Sequence, residues 1–150
     1  MSKVVLDSCV VVDMFMVTRQ RHPQAKQLQH ELAKTGITVR IPSFSLFEIS
    51  HAIRQEKRLS NGKLIDGAEG EEQSGLSVNL VPIDEAFVHK HLDVTLPEMR
   101  AGDLTFAALA KGDGLPLVTE DAPLSKAAKA AGIRVFTINE YLTELSKNAV

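Results

Sequence analysis

Short apolar runs that end in polar residues alternate with helix-periodic stretches along this chain, and that order limits its fold more than any other feature. Lys3–Leu6 reads as a buried strand and stops at Asp7-Ser8, where a helix over Ser8–Val17 follows. Pro23 opens a second helix with Ala25, Leu28 and Leu32 on one face, closed by Gly36. A strand over Ile37–Ile41 ends at Pro42, and Ser43 or Ser45 caps a helix to about Lys57. After the glycine- and charge-rich segment Leu59–Gly75, which reads as a loop or a short helix, Ser77–Pro82 alternates as a strand does. Asp84 then caps a helix to about Leu92. Asp103–Lys111 is helical up to Gly112, Leu115–Thr119 is a strand, and Pro123–Ala131 is a helix stopped by Gly132. Ile133–Ile138 is the last strand, and Asn139 caps a terminal helix. Strands that alternate with helices predict an α/β fold whose parallel sheet is covered on both faces.

The chain has 150 residues, 44% of them apolar, enough for one domain over 1–150 with a sizeable core. Its net charge of −2 excludes a broadly basic nucleic-acid footprint and leaves room only for local patches. One cysteine, Cys9, forbids an internal disulfide and suits a reducing cytoplasm. No run is long enough to span a bilayer, so no membrane role is expected. The opening MSKVVLDSCVVVDMFM is broken by Asp7 and Asp13 and reads as a strand turning into a helix rather than a leader.

In an open parallel sheet, ligands bind beyond the carboxyl ends of the strands. Asp7 directly follows the first strand, and Asp121 closely follows Leu115–Thr119. Asp103 lies in the first turn of its helix, and Glu48 sits on or beside a largely apolar helix side formed with Phe44, Phe47 and Ile49. Each acid alone has an ordinary structural role open to it. In LVTEDAPL, for example, Asp121 caps a helix or serves as a ligand, and the segment does not choose. Four carboxylates at one edge repel one another unless a cation or protons intervene. Oxygen ligands of this kind suit Mg²⁺ or Mn²⁺. Cys9 has no cysteine partner, and the pairs His89/His91 and Glu48/His51 read as solvent-facing or locally bonded. Asp13, Asp113 and Glu120 are weaker candidates, Asp13 by reaching across its helix and Asp113 as part of the turn GDG.

Three segments in order, VVLDSCVVVDMF, IPSFSLFEISHAI and MRAGDLTFAALAKGDGLPLVTEDAPLSKAAKAAGIRVF, resemble the motifs of PIN-domain nucleases, and especially of VapC-type toxins. The resemblance covers nearly the whole chain. It implies a three-layer α/β/α sandwich with a central parallel sheet. It also implies that Asp7, Glu48, Asp103 and Asp121 are the catalytic, metal-holding acids, with Ser8 and Thr119 as supporting polar groups. The expected activity is hydrolysis of RNA phosphodiesters with one or two Mg²⁺ or Mn²⁺ ions. A co-expressed antitoxin and a homodimer are the partners the resemblance implies. Arg19, Arg21, Arg54, Lys57, Arg58 and Lys63 are candidates for the positive field that meets RNA. Most of the six Phe residues fall in apolar periodic segments, so no base-stacking platform is visible. Two rivals stand beside this reading. One is a metal-dependent α/β phosphatase, disfavoured because Cys9 stands where a second aspartate belongs. The other is a catalytically silent PIN-like binding module.

Overall fold

A computed structural model describes residues 2–59, 75–92 and 95–148, with the side chains of 53 and 56–59 left aside. Its elements run β1 (Lys3–Leu6), α1 (Ser8–Phe15), α2 (His22–Thr35), β2 (Thr38–Pro42), α3 (Ser45–Leu59), β3 (Val78–Val81), α4 (Glu85–His91), α5 (Ala101–Asp113), β4 (Leu117–Val118), α6 (Ala122–Ala130), β5 (Val135–Phe136) and α7 (Ile138–Asn148). The five strands form one sheet in the order β3-β2-β1-β4-β5, and every pairing is parallel.

Alternation along β1 divides the interior into two cores, one on each face of the sheet. Val4 and Leu6 pack with Val10 and Met14 of α1, Leu28 and Leu32 of α2, Ile49 of α3 and Ile138 of α7. Val5 points the other way, toward Phe87 of α4, Phe106 and Leu109 of α5 and Leu124 of α6. The result is the α/β/α sandwich expected. Among the described residues no helix is long and apolar enough to cross a membrane.

Helix ends explain where the observed boundaries depart from the periodic pattern. The last two strands are shorter than the apolar runs that contain them because the flanking amides are already engaged. Leu115 N–H donates to the Ala110 carbonyl and closes α5, while Ile133 N–H donates to the Ala128 carbonyl and closes α6. Helix α5 runs past Gly112 and closes at Gly114, whose φ of +64° is left-handed. Gly112 stays inside the helix for another reason: a Cβ there would lie 2.5 Å from Cδ2 of the buried His91. The cap of α7 is Thr137 rather than Asn139. Thr137 Oγ1 accepts the Glu140 N–H at 3.2 Å, and Glu140 Oε1 accepts the Thr137 N–H at 2.8 Å, a reciprocal capping box. Asp84 caps α4 as expected, accepting the Phe87 N–H at 2.9 Å. Ser43 and Ser45 tie strands to the start of α3: Ser43 Oγ accepts the Ile83 N–H, and Ser45 Oγ donates to the Pro42 carbonyl.

The chain reverses its winding direction at β1. From there β2 and β3 extend one way and β4 and β5 the other, so the crevice between the carboxyl ends of β1 and β4 is the topological switch point.

Candidate functional site

Asp7 leaves β1 at that crevice. It stands at the N-cap of α1, yet its side chain makes no capping hydrogen bond. Oδ2 instead accepts the Thr119 hydroxyl at 2.7 Å and the Cys9 thiol at 3.2 Å. Thr119 leaves β4 beside it and is 1% exposed, while Asp7 is 8% exposed. The Thr119 oxygen also accepts the Asp121 N–H at 3.0 Å, so one hydroxyl links both strand ends to the third segment of the site. Asp121 caps α6, its Oδ1 accepting the Leu124 N–H at 2.9 Å. Its other oxygen, Oδ2, accepts the Arg100 Nη2–H at 3.2 Å. Arg100 reaches Asp103 as well: its Nε–H donates to Asp103 Oδ2 at 3.2 Å. From α3, Glu48 approaches the same place and accepts the Ser8 hydroxyl at 3.1 Å.

Burial pushes the Asp7 carboxyl above its ordinary range, its bonds to Thr119 and Cys9 pull it partly back, and Asp103 adds repulsion. Loss of hydration raises Glu48 too, with Asp7 and Asp103 contributing as like charges. Glu48 is exposed as a residue, but its carboxylate end lies against Ser8, where water is partly excluded. The inward face of α3 is therefore carried by Ser45 and Ile49, with Glu48 on its flank. Burial and the neighbouring Asp7 also keep the Cys9 thiol protonated.

The structure thus places Asp7, Glu48, Asp103 and Asp121 in one neighbourhood, with Ser8 and Thr119 between them. The weaker acids lie elsewhere. Asp13 is buried and pairs instead with Arg19, its Oδ1 accepting the Arg19 Nε–H at 2.9 Å. Glu120 turns toward α7, accepting the Ile138 N–H at 2.9 Å and pairing with Arg21 at 3.6 Å. Asp113 pairs with Arg40 at 3.0 Å and Lys90 at 3.1 Å. Arg19 and Arg21 are thus already engaged with acids, and Arg54 is exposed on α3. The side chains of Lys57 and Arg58, all of Lys63 and most of Leu59–Gly75 lie outside the described residues. His89 and His91 are locally bonded, to Glu85 and to the Phe87 carbonyl.

Two features escaped the sequence reading. Arg100 was legible only as an arginine three residues before Asp103 at a helix start, a spacing that places the two side by side. The phenylalanines divide more sharply than their periodic settings indicate: Phe15, Phe87 and Phe106 are core, but Phe44 is 47% and Phe47 81% exposed, on the turn that carries Glu48. Aromatic surface beside the acids is therefore present, contrary to expectation.

All the converging donors are oxygens, two of the acids are raised partly by their neighbours, and a guanidinium stands between two others. This donor set fits a hard divalent cation. Among the described residues no three acidic, His or Cys side chains close tightly enough to hold an ion unaided. A cation here would keep several waters, as Mg²⁺ does at sites with few protein ligands.

The chain matches the PIN domain model over residues 4–130. It belongs to the PIN domain family. The match spans β1 to the end of α6 and so contains all four acids. No curated protein matches the chain. Among solved structures, the PIN protein is similar to VapBC2 from Rickettsia felis, crystallised with a DNA fragment from their promoter. That likeness has a TM-score of 0.60 at 13% identity and covers 90% of this chain and 98% of the other. It is also similar to FitAcB from Neisseria gonorrhoeae, with a TM-score of 0.61 at 18% identity, covering 90% and 97%. FitAB bound to an IR36 DNA fragment gives a TM-score of 0.62 at 17% identity, covering 90% and 94%. At these identities the solved structures speak to the fold.

Proposed function

We propose that this PIN-domain protein is a Mg²⁺- or Mn²⁺-dependent endoribonuclease and the toxin of a toxin–antitoxin pair, working in the cytoplasm. One observation carries the reading: the 2.7 Å bond from Thr119 to a buried Asp7 at the β1–β4 switch point, with Asp103 and Asp121 drawn to the same mouth. A structural cap needs neither the burial nor the convergence. The VapC-like order of the motifs supports the toxin assignment, and the likeness to VapBC2 and FitAB agrees with it.

Asp7, Glu48, Asp103 and Asp121 would hold the cation. When bound, it supplies a water of lowered pKa and neutralises charge that gathers on the phosphate. Thr119, with Cys9, fixes the Asp7 carboxylate through Oδ2. Ser8 likewise holds Glu48 through Oε1. Thr119 also holds the Asp121 backbone, so the ends of β1 and β4 keep their spacing while substrate enters. Asp7 would have to be ionised to serve as a ligand. The exposed Phe44 and Phe47, on the turn that carries Glu48, offer ring faces on which RNA bases would stack. A small antitoxin and a second copy of the chain complete the proposed assembly.

The test is cleavage of RNA by the purified chain with Mn²⁺, with Mg²⁺ and with chelator, followed by mapping of the cut sites. Cation-dependent cuts that disappear in Asp7→Asn are expected. Intact RNA under every condition, or equal cleavage by Asp7→Asn, overturns the reading.

A further inference from the structure

Arg100 occupies a place that the proposed reaction needs for something else. It is the N-cap residue of α5, its backbone set by φ −61° and ψ 149°, and its side chain is 75% exposed. Nε and Nη2 form one edge of the guanidinium fork, and that edge is divided between two carboxylates, Asp103 Oδ2 and Asp121 Oδ2, each at 3.2 Å. A fork satisfied this way supplies a positive charge between the two acids. A divalent cation held by Asp103 and Asp121 would compete with that charge and, at Asp121, for the side-chain oxygen that Leu124 N–H does not already engage. Among the described residues the Arg100 side chain is 75% exposed, which leaves it room to move.

Resting on the endoribonuclease reading above, we propose that Arg100 exchanges partners: it bridges Asp103 and Asp121 while the cation is absent, and on cation binding it turns outward to hold the incoming phosphate. Its two positions fit one chemistry. Guanidinium forks bind carboxylate and phosphate oxygens alike. Of the arginines named from the sequence, Arg19 and Arg21 are engaged with Asp13 and Glu120 and Arg54 is exposed on α3, whereas Arg100 already stands between two of the acids. Arg100 thus keeps the acids from repelling one another before the cation arrives and contacts the substrate afterwards.

The experiment titrates Mn²⁺ into the full-length chain by calorimetry, for wild type, Arg100→Ala and Arg100→Lys. Steady-state cleavage of one RNA substrate at saturating Mn²⁺ follows, at several salt concentrations. Arg100→Ala should bind Mn²⁺ roughly two- to fivefold tighter, a range that exposed ion pairs allow. Arg100→Lys, which keeps the charge and loses the fork, should fall between Ala and wild type. The same Arg100→Ala should raise KM for RNA and lessen the slope of log(kcat/KM) against log[salt] by about 0.7, the loss of one phosphate contact to a single strand. Cation affinity up with RNA affinity down is a signature that a merely structural residue does not give, since misfolding lowers both. Mn²⁺ affinity unchanged or weakened in Arg100→Ala overturns the proposal, as does a lysine variant equal to wild type. So does an unmoved KM and salt slope. Wild-type protein that binds no Mn²⁺ defeats the endoribonuclease reading itself, an outcome distinct from these.

Discussion

Two strand–helix junctions in this molecule are built on one plan and use it differently. At β1–α1 and at β4–α6 a parallel strand ends, an aspartate takes the N-cap position and a helix begins. Asp121 caps its helix through Oδ1 and has one oxygen left for Arg100. Asp7 leaves the first amides of α1 without its side chain and is turned into the crevice by Thr119 and Cys9. Position in the chain therefore does not decide what a cap aspartate does. A hydroxyl from the neighbouring strand, close enough to compete, decides it. The difference also separates the site into a dry half, Asp7 with Thr119, and an open half, Asp103 and Asp121 under an exposed arginine.

The comparison is tested most severely by the amide variants, which keep shape and remove charge. Asp7→Asn should lower kcat for RNA cleavage on the order of 10³-fold, or about 4 kcal/mol of barrier. Asp121→Asn should cost less, on the order of 10²-fold, because its more solvated carboxylate is more easily replaced by water. Equal losses would show that the dry and open halves contribute alike. Removal of the hydroxyl that creates the difference comes next. Thr119→Val should reduce activity about 10- to 100-fold, the usual effect of losing a group that orients a ligand. If cleavage is unchanged, Asp7 is held by its backbone and by Cys9 alone. Smaller again is the structural contrast. Asp121→Ala loses the bond to Leu124 N–H and should destabilise the fold by about 1 kcal/mol, while Asp121→Asn should not, since asparagine caps as well as aspartate. Urea unfolding of both variants measures this directly. A destabilised Asn variant would mean that the ion pair with Arg100, rather than the cap, supports the start of α6.

Such distinctions mark how far the letters alone reach. Short apolar runs and helix periodicity were enough for the parallel sheet and both helical layers, because side-chain burial follows local spacing. The ends of β4 and β5 were not readable, because Leu115 and Ile133 are apolar like strand residues while their amides close the preceding helices. Asp7 and Asp121 were legible as strand-end acids; that one caps its helix and the other does not depends on Thr119, more than a hundred residues from Asp7. Glu48 reads from the sequence as lying on or beside an apolar side of α3 and lies on its flank, but Phe44 and Phe47, apolar like core residues, are exposed. Arg100 carries no signal in the sequence, because an arginine at a helix start is ordinary until its two partners, Asp103 and Asp121, are in place.

The last and smallest effect concerns stability and pH. Burial foremost, opposed by the bonds to Thr119 and Cys9, raises the Asp7 pKa above its ordinary 3.8. The folded chain then binds this proton more readily than the unfolded chain does. By linkage, the stabilisation from a protonated Asp7 is complete below 3.8 and is lost as pH rises through the higher folded value. Glu48, raised from 4.5, acts in the same direction. At neutral pH and without a divalent cation, ionised Asp7 is therefore a burden on the fold, and Asp7→Asn relieves it while still accepting the Thr119 hydroxyl. Asp7→Asn should melt a few degrees above wild type at neutral pH, and the gap should close as the buffer is brought down toward 3.8. Mn²⁺ should raise the melting temperature of wild type and reverse the order, because only the ionised carboxylate rewards the cation for binding the native state. Thermal unfolding of the two proteins across pH, with and without Mn²⁺, reads all of this. An Asn variant less stable than wild type at neutral pH without the cation would mean that Arg100 and the hydrogen bonds already compensate the buried charge, and the dry half of the site would then be no more strained than the open half.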